Sequence, residues 1–310
     1  MTTTPSPTTA PGTVREREAI PATAPAAPRT GRNWATMLLN VALLGLCLIW
    51  MVPVIGLLIT SLRNPDAAAS TGWWTVLANP FDFTQWTLQN YREVLLENGM
   101  GNAFLNSFVV ALPSTIVPIM IAAFAAYAFT FMQFPGRDWL FIVIVGLLVI
   151  PTQVAFVPLL RIYGDLGLNG TFLAVWLAHA GFGMPLAIYL LRTYMAGLPN
   201  AVVESAKVDG ASHFVIFWRL VVPMSVPALA AFAIFQFLWT WNDLLVALLF
   251  IGSGPNEVVT VNLAGLIGSQ GQNWQLLTAG AFITMTVPLL VFVSLQRYFI
   301  RGLTAGSVKG

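Results

Sequence analysis

The sequence predicts an all-α integral membrane fold with six transmembrane helices and both termini on the inner, cytoplasmic side. Three observations carry this. The chain is 57% hydrophobic and 8% charged, with mean hydropathy +0.77, whereas soluble domains are about 45–50% apolar and about 25% charged. Six apolar runs each approach or exceed the ~20 residues that a helix needs to cross a bilayer. The 14 Lys and Arg residues also divide unequally between the segments joining those runs.

Residues 1–33 are rich in Thr, Ala and Pro and carry Arg15, Glu16, Arg17, Glu18, Arg29 and Arg32. Such a segment buries too little apolar surface to offset its ordering entropy, and it is expected to be a disordered cytoplasmic tail. It has no short apolar core of the kind that marks a cleavable signal peptide. The transmembrane domain is expected over 34–301. Its spans are Met37–Thr60, Ala103–Phe131, Trp139–Leu160, Thr171–Leu191, Val222–Ile251 and Leu276–Gln296. Pro113, Pro118, Pro151, Pro158, Pro185 and Pro288 lie inside them and predict kinks, which membrane bundles accept when neighbours satisfy the freed carbonyls.

With the N-terminus inside, the inner segments hold Arg15, Arg17, Arg29, Arg32, Arg137, Arg192, Lys207, Arg219, Arg297, Arg301 and Lys309. Only Arg63, Arg92 and Arg161 remain outside. Cytoplasmic loops carry the excess of Lys and Arg, so the distribution favours this orientation and makes the loop 193–222 cytoplasmic.

The outer loop 62–102 contains Trp73, Trp74 and Trp86, and Leu88, Tyr91, Val94 and Leu95 mark a short amphipathic helix after Thr87. Trp and Tyr favour the membrane interface, so an interfacial aromatic belt is expected. A contact for an external binding protein is compatible with it.

The inner loop 193–222 is polar but patterned. Pro199 suits a first helical turn. Val202, Val203 and Ala206 share a face at helical spacing, and Glu204 and Lys207 share another. Gly210 ends the helix, Ser212 caps a second one, and Phe214, Phe217, Trp218 and Val221 give that one an apolar stripe. The spacing therefore predicts a helix–turn–helix elbow. An amphipathic loop that only packs on its own bundle would show the same spacing.

The fifth span carries Gln236, Trp239, Trp241, Asn242 and Asp243. Ionisable residues inside a membrane usually face a cavity or a partner. Asp243 lies about 20 residues beyond Pro223, about 30 Å along a helix. A solvated helix end, an interhelical hydrogen bond and a lining position on a solute pathway all fit. Gln153, beside Thr152 after Pro151, is a further pathway candidate, as is Asn106. The loop 252–275 is glycine-rich. The single cysteine, Cys47, excludes a disulfide within the chain and a multi-cysteine metal site. His179 and His213 stand alone and are expected to be packed polar residues. The net charge of +2 gives no reason to expect nucleic acid.

The elbow resembles the E-A-A-x-x-D-G-A motif of ABC-importer permeases, with its later Phe and two Pro. Glu204, Ala206, Asp209, Gly210, Ala211, Phe217, Pro223 and Pro227 match it. Ser205 departs from the usual Ala, and Leu220 stands for Ile. Asn90-Tyr91-Arg92, Trp241-Asn242-Asp243 and the stretch from Gln296 to Gly306 look like the maltose-type carbohydrate permeases, in particular the six-span second subunit. The resemblance implies the type I ABC importer permease fold and a heterodimer with a second permease subunit. It further implies two ATPase subunits that use ATP and Mg, and an external sugar-binding protein. In that family the elbow is a coupling helix that docks on the ATPase, and the tail 302–310 reaches toward the same subunits.

The chain has no G-x-x-x-x-G-K followed by Ser or Thr, so no bound cofactor is expected here and no enzyme activity of its own. An ion-coupled secondary transporter would show paired repeats and buried ionisable groups along an ion route. No convincing repeat is present, and Asp243 is the one candidate acid. A permease for a non-sugar solute remains the other alternative.

Overall fold

The computed structural model describes Thr2, residues 34–266 and residues 273–304. The rest of the expected tail 1–33, the residues from 305 onward, and Gly268 and Gly271 of the glycine-rich loop lie outside the described residues. Two compact units are present, Met1–Met51 and Val52–Gly310. Helix α1 (Trp34–Ser61) belongs to the first as far as Met51.

The end of α1 is tied to the segment that follows it. That segment holds α2 (Pro65–Ser70), which has Pro in its first turn, two 3-10 turns at Trp73–Ala78 and Phe83–Gln85, and α3 (Gln89–Leu96). The Thr87 hydroxyl accepts from the Gln89 N–H at 3.0 Å, just ahead of α3. Asn90 is buried and donates its Nδ2 to the carbonyls of Ser61 (2.9 Å) and Arg63 (2.8 Å). The Ser61 carbonyl is in the last turn of α1, where the helix itself leaves carbonyls unpaired, and Arg63 lies just beyond that end. Tyr91 adds a hydrogen bond to the Ser61 hydroxyl at 2.8 Å. Asn90→Ala is therefore expected to destabilise this junction by about 1–3 kcal/mol. The check is limited proteolysis of the full chain in nanodiscs, where cleavage within 62–88 should accelerate; an unchanged rate would refute the role given to Asn90.

Helix α4 (Met100–Phe131) has a buried stripe of small residues, including Ser107, Ala111, Ser114, Ala122 and Ala126. Small faces let membrane helices approach closely, and α4 packs along α7 (Phe172–Ala196). Between them lie α5 (Arg137–Gly146), a 3-10 turn at Leu147–Val149, and α6 (Thr152–Asp165).

The expected third span, Trp139–Leu160, is not one rod. The two arms, Arg137–Val149 and Thr152–Asp165, meet at 98°. Pro151 explains the break: the residue before a proline is driven out of the helical region, and Ile150 is extended (φ −77, ψ 121).

The elbow follows as α8 (Asn200–Val208) and α9 (His213–Ile216). A π turn at Phe217–Val221 joins α9 to α10 (Val222–Trp241), so the helix is continuous from His213 to Trp241.

The fifth span therefore differs from the expected Val222–Ile251, beginning earlier and stopping at Trp241. Beyond it, the Asp243 carboxylate accepts from the Ala247 N–H at 3.2 Å and so starts α11 (Leu245–Phe250). Thr260 donates to the Asp243 carbonyl at 2.6 Å. Short polar side chains compete in this way with continuation of a helix.

Helices α12 (Val259–Gly265) and α13 (Trp274–Thr304) complete the chain, with α13 running past the expected boundary at residue 301. Among the described residues five helices are long and apolar enough to cross a membrane, and the bent pair makes a sixth if it is counted as one span.

Candidate functional site

Two features stand out, the elbow and a polar junction inside the bundle. In the elbow, Gly210 has φ +79. Its N–H bonds to the Lys207 carbonyl at 3.0 Å, and the Ala211 N–H to the Ala206 carbonyl at 2.9 Å. This is the paired closure that ends a helix in a left-handed residue. Ser212 then caps α9, its Oγ accepting from the Val215 N–H at 3.4 Å.

Aromatic packing fixes the elbow to the bundle. Phe217 is 3% exposed; its ring stacks on Phe124 at 4.5 Å and meets Tyr127 edge-on at 5.4 Å. The Tyr127 hydroxyl lies 2.9 Å from His213 Nδ1. Val203, Ile216 and Phe217 join the core formed by the ends of α4 and α7. Lys207 does not pair with Glu204. Its Nζ donates to the Phe131 carbonyl at 3.4 Å, one of the orphan carbonyls ending α4.

Glu204, Ser205, Asp209 and Gly210 are exposed, and Ala206 and Ala211 are half-buried against the core. Pro223 is exposed in the first turn of α10. The inward stripe differs from the expected one. Val202, Phe214 and Trp218 are exposed, while Ile216 is fully buried. In the second elbow helix the π turn explains the shift, because an i→i+5 turn inserts a residue into the helical repeat and rotates the faces before it relative to those after it; Val202 lies on α8, ahead of the Gly210 turn. Val208 (88% exposed) and Phe214 are exposed, as are Glu204 and Asp209.

In the polar junction Gln236 is 0% exposed. Its Nε2 donates to the carbonyls of Ser114 (3.2 Å) on α4 and His179 (3.3 Å) on α7. Gly183 makes room for it: a Cβ there would sit 2.5 Å from Gln236 Oε1. His179 is buried, edge-on to Trp239 at 5.2 Å, with Asp243 Oδ2 3.7 Å from its Nε2.

Of the five pathway candidates, Gln236 and Asp243 thus meet around His179. The other three lie elsewhere. Trp241 is buried among Phe104, Phe108 and Phe237, with its Nε1 donating to the Thr284 carbonyl at 3.1 Å. Asn242 is exposed and donates to the Leu238 carbonyl at 2.7 Å. Gln153 is exposed on α6. Asn106 holds the Pro255 and Glu257 carbonyls, each at 3.0 Å. Sequence reasoning missed the gathering role of His179 and Ser114. The one signal available was a lone imidazole in an otherwise apolar span.

Residues 20–305 match the family described as "Binding-protein-dependent transport system inner membrane component". The chain is 57% identical over 277 residues to an osmoprotective compounds uptake permease of Synechocystis sp., covering 89% of this chain and 93% of that protein. It is 43% identical to an α-glucoside transport system permease of Rhizobium meliloti, covering 91% and 98%. Its fold matches that of a bacterial ABC transporter that imports the acidic polysaccharide alginate, with TM-score 0.70 at 20% identity over 89% of this chain and all of that one. The helices, the elbow and these similarities lead to one assignment: the chain belongs to the inner membrane component family of binding-protein-dependent transport systems, the permeases of ABC importers.

Proposed function

We propose that this chain is one of two permease subunits of an ATP-driven importer for sugars, and that its elbow couples the bundle to cytoplasmic ATPases. One observation carries the coupling role: the exposed turn around Gly210 leads directly into a helix that is seated on the bundle through Phe217 and runs without a break from His213 to Trp241, so that it includes α10, the helix that holds Gln236. Force applied at the turn would therefore reach the polar junction as rigid-body motion of one helix. ATP acts through its preference for one of two states. In this reading ATP and Mg are used by two separate ATPase subunits. A second permease subunit completes the pathway, and an external binding protein delivers the substrate. Both termini are cytoplasmic. Gln153, Gln236, Trp241, Asn242 and Asp243 belong to the pathway or its frame, while Glu204, Ser205, Ala206, Asp209, Gly210, Ala211, Phe217 and Pro223 form the coupling surface and its seat.

The α-glucoside relative supports a glucosidic sugar as substrate. The osmoprotectant relative favours a second reading, in which the solute is a compatible osmolyte. Uptake by the reconstituted complex, with α-glucosides and non-sugar osmolytes compared, separates the two. Uptake driven by an ion gradient without ATP would instead favour a secondary transporter.

Glu204→Lys places a cation on the exposed face of α8 and is expected to lower copurification of the ATPase about tenfold or more, as charge reversal does across a complementary interface. Unchanged copurification counts against docking at Glu204.

A further inference from the structure

Arg192 is held without a counter-anion. It lies one turn before the end of α7, half-buried, with its guanidinium carbon 4.7 Å from the centre of the Phe141 ring on α5. Among the described residues no carboxylate lies within 4 Å of it. Its Nε is buried and has no acceptor, and the Nη atoms, likewise without an acceptor, are its accessible end. Buried polar atoms are nearly always paired. A guanidinium clamped on an aromatic ring presents a fixed planar fork that matches a phosphate.

The surroundings give the direction of the missing anion. Helix α7 has 25 residues, about 37 Å at ~1.5 Å per residue, against about 30 Å of hydrocarbon. Arg192 therefore falls near the hydrocarbon boundary. Toward the bilayer centre the flanking surface is apolar: Leu140, Ile142 and Val143 on α5 and Leu190 on α7 are exposed. Toward water lie two further cations. Arg137 is one turn from Phe141 on the same face of α5, and its Nη1 donates to the Met132 carbonyl at 3.2 Å. Lys207 holds the adjacent Phe131 carbonyl. These two close the end of α4, and only Asp138 is bonded to them, through Arg137 Nε at 3.2 Å. Arg192 alone of the three has nothing to hold.

Cations above and bare apolar helix below match a phospholipid. A free phosphate would leave the apolar surface uncovered, and a choline headgroup would bring its own cation against Arg137 and Lys207. We propose that Arg192, with Arg137 beside it, binds the phosphate of an anionic phospholipid in the groove between α5 and α7, on the elbow's side of the bilayer. Phe141 packs against the same core as Val203 and Phe217, so the lipid borders the seat of the elbow.

The test uses the whole complex, with its second permease and ATPases, in phosphatidylcholine nanodiscs. These contain a trace of phosphatidylglycerol with a photoactivatable diazirine in its acyl chain. After illumination, cross-linked peptides are mapped by mass spectrometry. Cross-links should fall within 137–148 and 186–196, and unlabelled phosphatidylglycerol should compete for them. One Arg near anionic lipid contributes about fivefold in affinity. Arg192→Gln should therefore lower the yield about fivefold, and the double variant with Arg137→Gln more than about tenfold. Arg161→Gln, which removes an exposed cation on α6, should leave it unchanged.

Equal yields from phosphatidylglycerol and phosphatidylcholine probes overturn the site, as does an unchanged yield in the double variant. If that variant does not assemble, the unmodified complex decides: raising salt from about 0.1 to about 1 M should lower the yield several-fold, and an unchanged yield overturns the site. Competition by soluble glycerophosphate shows a site for free phosphate and overturns the lipid. Cross-links that form only when the ATPases are omitted show that an ATPase covers the groove, and overturn it too.

Discussion

Gly210→Asp should reduce ATP-driven uptake to less than about a tenth of normal while leaving membrane insertion unchanged. The reasoning separates backbone from charge. Gly210 has φ +79, and a Cβ built there meets nothing within 4 Å, so crowding is not the cause. A left-handed conformation costs an ordinary L-residue roughly 1–2 kcal/mol, although Asn and Asp tolerate it better than most. The aspartate's larger effect comes from its carboxylate. It adds a negative charge beside Asp209, at the end of α8 where the helix dipole already disfavours anions, and in the middle of the surface assigned to ATPase docking. Gly210→Asn keeps the shape without the charge and should retain most uptake. Uptake in proteoliposomes, normalised to protein inserted, decides the matter. Normal ATP-driven uptake by the aspartate variant removes the coupling role from this turn. Equal loss in both variants places the effect in the backbone alone.

Phe217→Ala is expected to have the largest effect on stability. The ring is almost wholly buried and packs on Phe124, Tyr127 and Trp218. Replacing a buried Phe by Ala costs about 3–5 kcal/mol through lost transfer energy and the cavity left behind, and an aromatic pair adds about 0.5–1.5 kcal/mol beyond its buried area. This ring seats the elbow on α4, so the loss should loosen the elbow before it affects the outer half of the bundle. Protease cleavage between residues 197 and 212 should rise sharply, the Tm of the purified chain should fall, and coupled uptake should be lost. Phe217→Leu, which conserves most of the volume, should recover much of each. A Phe217→Ala chain with normal Tm and uptake would show that another contact seats the elbow.

The elbow was legible in the sequence because its signals are local. Gly210 and Ser212 specify their closures within a few residues, and both form as expected. The inward stripe of the second elbow helix was legible only in part. The π turn at Phe217–Val221 changes the helical phase, so Phe214 and Trp218 face out while Ile216 turns in. Counting at 3.6 residues per turn cannot register an inserted residue. The third span shows a similar limit. Pro151 predicted a kink, but the angle of 98° depends on what packs against both arms.

The sequence by itself determined that this chain lies in a membrane, where most of its spans fall, and where the exposed turn at Gly210 is placed, because hydrocarbon demands long apolar helices and a helix stop needs only a glycine and a cap. The tertiary structure alone decided that Gln236, Ser114 and His179 meet, that Trp241 packs inside an aromatic cluster, and that Asp243 starts a new helix beside an imidazole. Those contacts join residues far apart in the chain, held by the close approach of small-faced helices, and no local pattern of residues encodes which distant carbonyl an amide will find.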